Sequence, residues 1–106
     1  MKIVTMTYVR PSTAVAWATP TAEFLAWNDA NKVDLGLLSF TSTESADGLT
    51  KTFTSVYKSE ACHDNFMNQP ELLANKEARL AHCVANNISV DYHVELIEDE
   101  NDPVKP

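Results

Sequence analysis

Residues 34–58, DLGLLSFTSTESADGLTKTFTSVYK, decide the fold because they hold the strongest turn signal in the chain. Ala46-Asp47-Gly48 stands between two runs rich in Leu, Phe, Thr, Val and Tyr, a pattern typical of a β-hairpin. The runs predict one strand over residues 34–43 and an antiparallel partner over residues 49–58. A hairpin therefore occupies the middle of the chain.

On the N-terminal side of the hairpin, an alternating run over residues 3–9 predicts a strand that fades at Pro11. The first helix is expected to begin with Thr19 as its N-cap, Pro20 at its first position and Glu23 near its positive end. The residues between this strand and this helix show no regular pattern, so a loop is expected there.

On the C-terminal side, Ser59 is expected to cap a helical region that Pro70 divides into a short helix and a longer one. Residues 89–97 alternate in polarity and predict the last strand. The order strand, helix, strand, strand, helix, strand folds by right-handed crossovers into an α+β domain of the ferredoxin-like βαββαβ type. We therefore expect a four-stranded antiparallel sheet with helices on one face, and a second copy of the chain on the other.

Length and charge restrict the kinds of protein that this sequence can encode. With 106 residues there is room for a single core, which we place in residues 1–98, followed by an acidic flexible tail at 99–106. The formal charge of -7 disfavours a nucleic-acid partner, which would require clustered Lys and Arg. No segment approaches the ~18 apolar residues of a membrane span. Two cysteines and no export signal favour a reduced, cytoplasmic protein.

The passage from the third strand into the helices resembles that of the antibiotic-biosynthesis-monooxygenase-like families. The resemblance lies in Tyr57-Lys58-Ser59-Glu60-Ala61, followed by Phe66-Met67-Asn68-Gln69-Pro70-Glu71-Leu72. It implies the dimeric α/β-barrel superfamily, whose members form homodimers with their sheets face to face. Members include cofactor-independent quinol-type oxygenases, haem-degrading oxygenases, small isomerases and proteins without known activity.

Haem degradation is disfavoured by the residues at three aligned positions. The haem-degrading members use an Asn on the first strand and a Trp and a His in the second helical region. Those positions align with Thr7, Phe66 and Lys76, and none of the three matches. No cofactor is therefore expected.

The resemblance favours a small-molecule enzyme of the cofactor-independent monooxygenase or isomerase type. Its ligand would be an apolar or aromatic metabolite in a pocket between the sheet and the helices. The candidate ligand-binding residues are the aromatic side chains Tyr8, Trp17, Phe40, Phe53 and Phe66. The alternative is a non-catalytic dimeric module for ligand binding or assembly, because the sequence holds no sharp catalytic constellation.

His93 is the candidate general base, with Asp91 as its partner. Strand alternation places His93 on the same face as Asp91 and Glu95, and a carboxylate beside an imidazole orients the ring or raises its pKa. On a sheet face enclosed by a dimer, this base would suit proton abstraction from a phenol or an enolisable carbon. The alternative is that this face of the last strand is simply wet.

Cys62-His63 and His82-Cys83 combine ligand types that zinc accepts. Adjacent helical residues point about 100° apart, so each pair directs only one member at a shared ion. We predict no metal site. The favoured interpretation is two small buried thiols and two histidines on helix surfaces.

The predicted dimer is testable in solution. Sedimentation of the full-length chain at micromolar concentration should give about twice the monomer mass, because one sheet face would otherwise be left uncovered. A single species at the monomer mass would contradict this prediction.

Overall fold

The computed structural model describes residues 1–97, and these form four strands and three helices. The elements in chain order are β1 Lys2–Val9, α1 Ala22–Asn31, β2 Leu37–Glu44, β3 Thr50–Tyr57, α2 Glu60–Met67, α3 Pro70–Ala85 and β4 Ser89–Leu96. The predicted domain boundary at residue 98 and the predicted tail at 99–106 lie outside the described residues.

The sheet has the order β2-β3-β1-β4, and every neighbouring pair is antiparallel. Strand β1 is central and pairs with β3 on one side and with β4 on the other. At the far end of the β1–β4 pair, Met1 and Ile97 exchange two backbone hydrogen bonds of 3.0 and 2.9 Å. The topology confirms the predicted α+β, ferredoxin-like fold.

The starts of two elements lie two or three residues from the sequence-based expectation, whereas the other strand ends differ by at most one residue. Helix α1 begins after Thr21, whose side chain accepts a hydrogen bond from the Phe24 backbone N–H at 3.1 Å. The prediction of Thr19 as the cap was wrong, because Thr21 offers the same hydroxyl two residues closer to the helix. Strand β2 begins at Leu37 because Gly36 has a φ of 89° and ends a turn there.

The predicted N-cap and the predicted break of the helical region are both confirmed. Ser59, only 1% exposed, accepts a hydrogen bond from the Cys62 N–H at 3.1 Å and starts α2. Pro70 occupies the first turn of α3, where its missing N–H needs no partner. The chain therefore makes a short helix and a long one in place of a single helix.

The core consists of two clusters along the helix-facing side of β1. Val4, Tyr57 and Phe66 form the first, and Tyr8, Cys83 and Ile88 form the second. Met6 lies between them on the strand and packs against both. Because the clusters lie apart along β1, the space between sheet and helices is only partly filled.

The outer face of the sheet, away from the helices, is mostly threonine. Its members on β1, β2 and β3 are Thr5, Thr7, Thr41, Thr43, Thr50, Thr52 and Thr54. Ile3, Val9 and Val56 lie among them as the apolar residues of this face. The outer face is therefore mixed in polarity, whereas the helix-facing side carries the aromatic residues.

Gly36 packs so closely on α2 that a side chain does not fit. A Cβ built at Gly36 would lie 2.7 Å from both Cβ and Sγ of Cys62. We predict that Gly36→Ala lowers the free energy of unfolding by about 2 to 5 kcal/mol, through left-handed strain plus the clash. Gly48→Ala is the matched control: its φ is also positive, at 73°, but its nearest neighbours are side-chain ends at 3.3 and 3.4 Å. Urea unfolding of both variants measures the difference, and equal losses would contradict the role of the Cys62 contact.

Candidate functional site

A cavity of about 1080 Å³ lies between the sheet, the helices and the loop of residues 10–21. This is slightly above the ~300 to 1000 Å³ typical of ligand pockets. All five predicted ligand-binding residues line it: Tyr8, Trp17, Phe40, Phe53 and Phe66. Strand alternation turns Tyr8, Phe40 and Phe53 to the helix side, because every second residue of a strand points to the same face. Trp17 comes from the loop of residues 10–21, and Phe66 comes from α2.

The aromatic side chains of the cavity hold one another in place. The rings of Tyr8 and Phe53 meet edge to face at 5.5 Å, and Phe40 stacks on Phe53 at 5.5 Å. Phe66 from α2 meets the Tyr57 ring edge to face at 5.6 Å. Phe40, at 54% exposure, lies at the open edge of the sheet, whereas Tyr8 and Phe66, each at 3%, are buried. The walls are therefore apolar and pre-formed.

The loop of residues 10–21 is fixed over one side of the cavity through Trp17. The indole Nε1 donates to Glu44 Oε1 at 2.7 Å, and the Arg10 guanidinium lies 4.4 Å from the centre of the ring. Arg10 also donates to the carbonyls of Gly48 at 2.7 Å and Val15 at 2.8 Å. Trp17 thus presents a rigid aromatic wall, because its ring is held by a hydrogen bond and by a cation.

A second contact fixes the same loop to α3. His82 Nε2 lies 2.7 Å from the backbone oxygen of Ala16, at hydrogen-bonding distance. His82 also lines the cavity. The loop is therefore attached both to the sheet, through Glu44, and to the longest helix.

His63 is a cavity residue that the sequence interpretation placed on a helix surface. Its ring lies 4.5 Å from that of Tyr57, and its Nδ1 is buried without a hydrogen-bond partner in the described chain. The interpretation was wrong because His63 precedes the buried Phe66 by three residues, a spacing that places both on one helix face. That spacing was the available signal.

Burial lowers the pKa of His63 below its ordinary value of 6.5. The positive charge of Lys2 adds to this effect, the carboxylates of Asp64 and Glu60 oppose it, and Lys76 lowers the pKa further. The imidazole is therefore neutral at pH 7, the form in which one ring nitrogen accepts a proton.

Two further polar groups in the cavity come from β1 and α3. Burial raises the pKa of Tyr8 to about 12, although the positive charge of Arg79 acts in the opposite direction. The Tyr8 hydroxyl is therefore protonated at neutral pH and acts as a donor. Arg79 lines the cavity on a stripe of α3 that it shares with Leu72, Lys76 and Cys83, at helical spacing.

The predicted catalytic pair lies on the other side of the sheet. His93 is directly opposite Thr5 in the β1–β4 register, and Asp91 is opposite Thr7, so both belong to the outer face. Both are exposed, and neither lines the cavity. A catalytic role for His93 and Asp91 stays a prediction, and it would require a second chain to enclose this face.

No three His, Cys, Asp or Glu side chains within residues 1–97 converge in a way that could hold a metal ion. None of the three helices in this range has both the length and the apolar character needed to cross a bilayer.

Comparison with known proteins shows that this chain resembles solved structures in its fold. No protein-family model and no curated protein matches the sequence. Rv0793 from Mycobacterium tuberculosis is similar with a TM-score of 0.58 and 19% identity, over 95% of this chain and 99% of that one. SnoaB, a cofactor-independent oxygenase from Streptomyces nogalater, is similar with a TM-score of 0.58 and 11% identity, over 94% and 95% of the two chains.

A dimeric ferredoxin-like protein from an uncultured marine organism is also similar, with a TM-score of 0.53 and 12% identity over 92% of this chain and 97% of that one. The chain has the fold of the antibiotic-biosynthesis-monooxygenase-like proteins. At identities of 11% to 19%, the likeness concerns this antibiotic-biosynthesis-monooxygenase-like fold and leaves the chemistry to the residues of the site.

The lowered pKa of His63 predicts a pH-dependent stability. Below about pH 6.5 the unfolded chain binds a proton at His63 more readily than the folded chain does. The free energy of unfolding should therefore decrease as the pH is lowered, until the pH is below the folded-state pKa. His63→Gln should flatten this part of the profile, as measured by urea unfolding between about pH 5 and pH 7. An unchanged slope in His63→Gln would contradict the burial of a neutral imidazole.

Proposed function

We propose that this protein is a small-molecule enzyme of the cofactor-independent monooxygenase or isomerase type. The observation that carries the proposal is the neutral imidazole of His63, which lines an apolar cavity of about 1080 Å³ and whose Nδ1 has no hydrogen-bond partner in the described chain. A largely apolar pocket that holds a titratable group of shifted pKa is a candidate site for proton abstraction from an aromatic substrate.

Both forms of the chemistry need a base and an apolar enclosure, and the oxygenase form also needs molecular oxygen as co-substrate. In the oxygenase form, His63 removes a proton from a phenol or from an enolisable CH₂ group. The resulting anion transfers electrons to O₂, a C–O bond forms, and the peroxide loses water. The balance is one CH₂ group and one O₂ converted to one C=O group and one water. In the isomerase form, the same base returns the proton to a different carbon.

The likeness to SnoaB supports this proposal at the level of fold, since that protein is described as a cofactor-independent oxygenase. The aromatic walls support it more directly. Tyr8, Phe53 and Phe66 match a planar ring system in polarity, and stacking against such rings stabilises an aromatic ligand.

A homodimer belongs to the same proposal. The outer sheet face carries threonine methyl groups together with Ile3, Val9 and Val56, and a second copy would cover it. The described likeness to a dimeric ferredoxin-like protein supports this arrangement. In such a dimer, His93 and Asp91 would be enclosed between the sheets and would form a second candidate for the base.

Oxygen uptake with anthrone, a tricyclic ketone with one enolisable CH₂ group, tests the proposal. Wild-type protein should consume one O₂ per anthrone above the buffer background and release anthraquinone. His63→Gln should slow this by at least about 100-fold, because a positioned base contributes about 10² to 10⁴ to the rate. His93→Gln is the paired variant and should keep the wild-type rate.

Two outcomes would redirect the assignment. Loss of turnover in His93→Gln with retention in His63→Gln would transfer the role of base to the outer face. Quenching of tryptophan fluorescence by anthrone without any oxygen uptake would favour the alternative, a non-catalytic ligand-binding module.

A further inference from the structure

The cavity contains a positive charge without a negative partner. Arg79 lies on the cavity-facing stripe of α3, and its Nε is buried without any hydrogen-bond acceptor in the described chain. Within residues 1–97, the ion pairs of side chains are made by Arg10 with Glu44 and by Lys32 with Asp29, and Arg79 takes part in neither. A guanidinium is always charged, and burying its Nε–H group without an acceptor is unfavourable.

The carboxylates near the cavity do not supply a negative partner for Arg79. Glu23 and Glu71 contribute to the lining, but both are exposed, and neither forms an ion pair with Arg79. Lys76, one helical turn before Arg79, adds a second positive charge to the same stripe. The chain as a whole carries a formal charge of -7, so this interior region is opposite in sign to the molecule around it.

A second under-used donor faces the cavity. The Tyr8 hydroxyl donates to Met6 Sδ at 3.7 Å, and a thioether is a weak acceptor. The charge of Arg79 acts on the hydroxyls of both Tyr8 and Tyr57, so the guanidinium lies near these two strand residues. The sheet and α3 thus bring the Arg79 guanidinium and the Tyr8 hydroxyl into one apolar enclosure, where Arg79 Nε has no acceptor and Tyr8 has only the weak Met6 thioether.

We infer that the ligand of this cavity is an apolar ring system bearing one anionic oxygen group, which Arg79 and Tyr8 hold at the end of the cavity near Cys83. A carboxylate, an enolate or a phenolate has this chemistry, since each offers oxygen acceptors to N–H and O–H donors. The inference rests on the proposed function and specifies its substrate class.

Two fluorescent probes with one aromatic frame separate the anionic group from the rings. They are 1-anilinonaphthalene-8-sulfonate, which carries an anion, and N-phenyl-1-naphthylamine, which does not. The wild-type chain should bind the sulfonate at least about tenfold more tightly than the neutral probe, as expected for a charge-assisted contact. Arg79→Gln should remove about tenfold from the sulfonate affinity and leave the neutral probe unchanged.

Lys58→Gln is the matched control, because it removes the same charge from an exposed residue outside the cavity. It should leave the ratio of the two affinities at its wild-type value. Unchanged binding of the neutral probe also shows that a variant keeps its cavity. If Arg79→Gln does not fold, Arg79→Lys and Tyr8→Phe take its place. A lower ratio in either supports the inference, and a wild-type ratio in both overturns it.

The outcomes separate this inference from the proposed function. If the wild-type chain binds the neutral probe as tightly as the sulfonate, or if Arg79→Gln leaves the ratio unchanged, the anionic ligand class is wrong and the cavity stands. If neither probe binds, ligand binding in the cavity is contradicted, and the proposed function fails together with the inference.

Discussion

The packing of one face of β1 against two separate core clusters is the constraint on which the rest of the structure depends. Val4 belongs to one cluster, Tyr8 to the other, and Met6 packs on both. Because the clusters are held apart by the length of a strand segment, the helices are supported at two places and do not settle on the sheet between them. The cavity results from this arrangement, and its sheet-side wall is rigid because the strands carry the lining side chains.

Much of the fold could be predicted from the sequence because its signals are local. Asp47-Gly48 marks the hairpin, Ser59 caps α2, and Pro70 divides the helical region, each through the backbone of its own neighbours. The predicted start of α1 was wrong by two residues, because Thr19 and Thr21 can both act as an N-cap and the sequence alone does not rank them. The five aromatic residues of the cavity were predicted from their aromatic character, since apolar pockets are lined by such side chains.

The polar part of the site was harder to predict, since it depends on what is missing around each group. His63 and Arg79 are ordinary helix residues in the sequence, and their significance comes from a buried nitrogen without a partner. Whether such a nitrogen lacks a hydrogen-bond partner depends on the tertiary structure, because an acceptor from any distant segment of the chain could have bound either group. His93, by contrast, stands out in the sequence through its carboxylate neighbours, yet alternation places it on the outer face.

The reciprocal bonds between Met1 and Ile97 have a consequence for the folding rate. They close the β1–β4 pair, in which the contacting residues are separated by most of the described chain. Contacts of such high sequence separation carry a large loop-closure entropy and slow the folding of a small domain. The β2–β3 hairpin is local and closes quickly, whereas the central strand keeps an unpaired edge until β4 arrives. The period before that last pairing is when the chain is most exposed to aggregation.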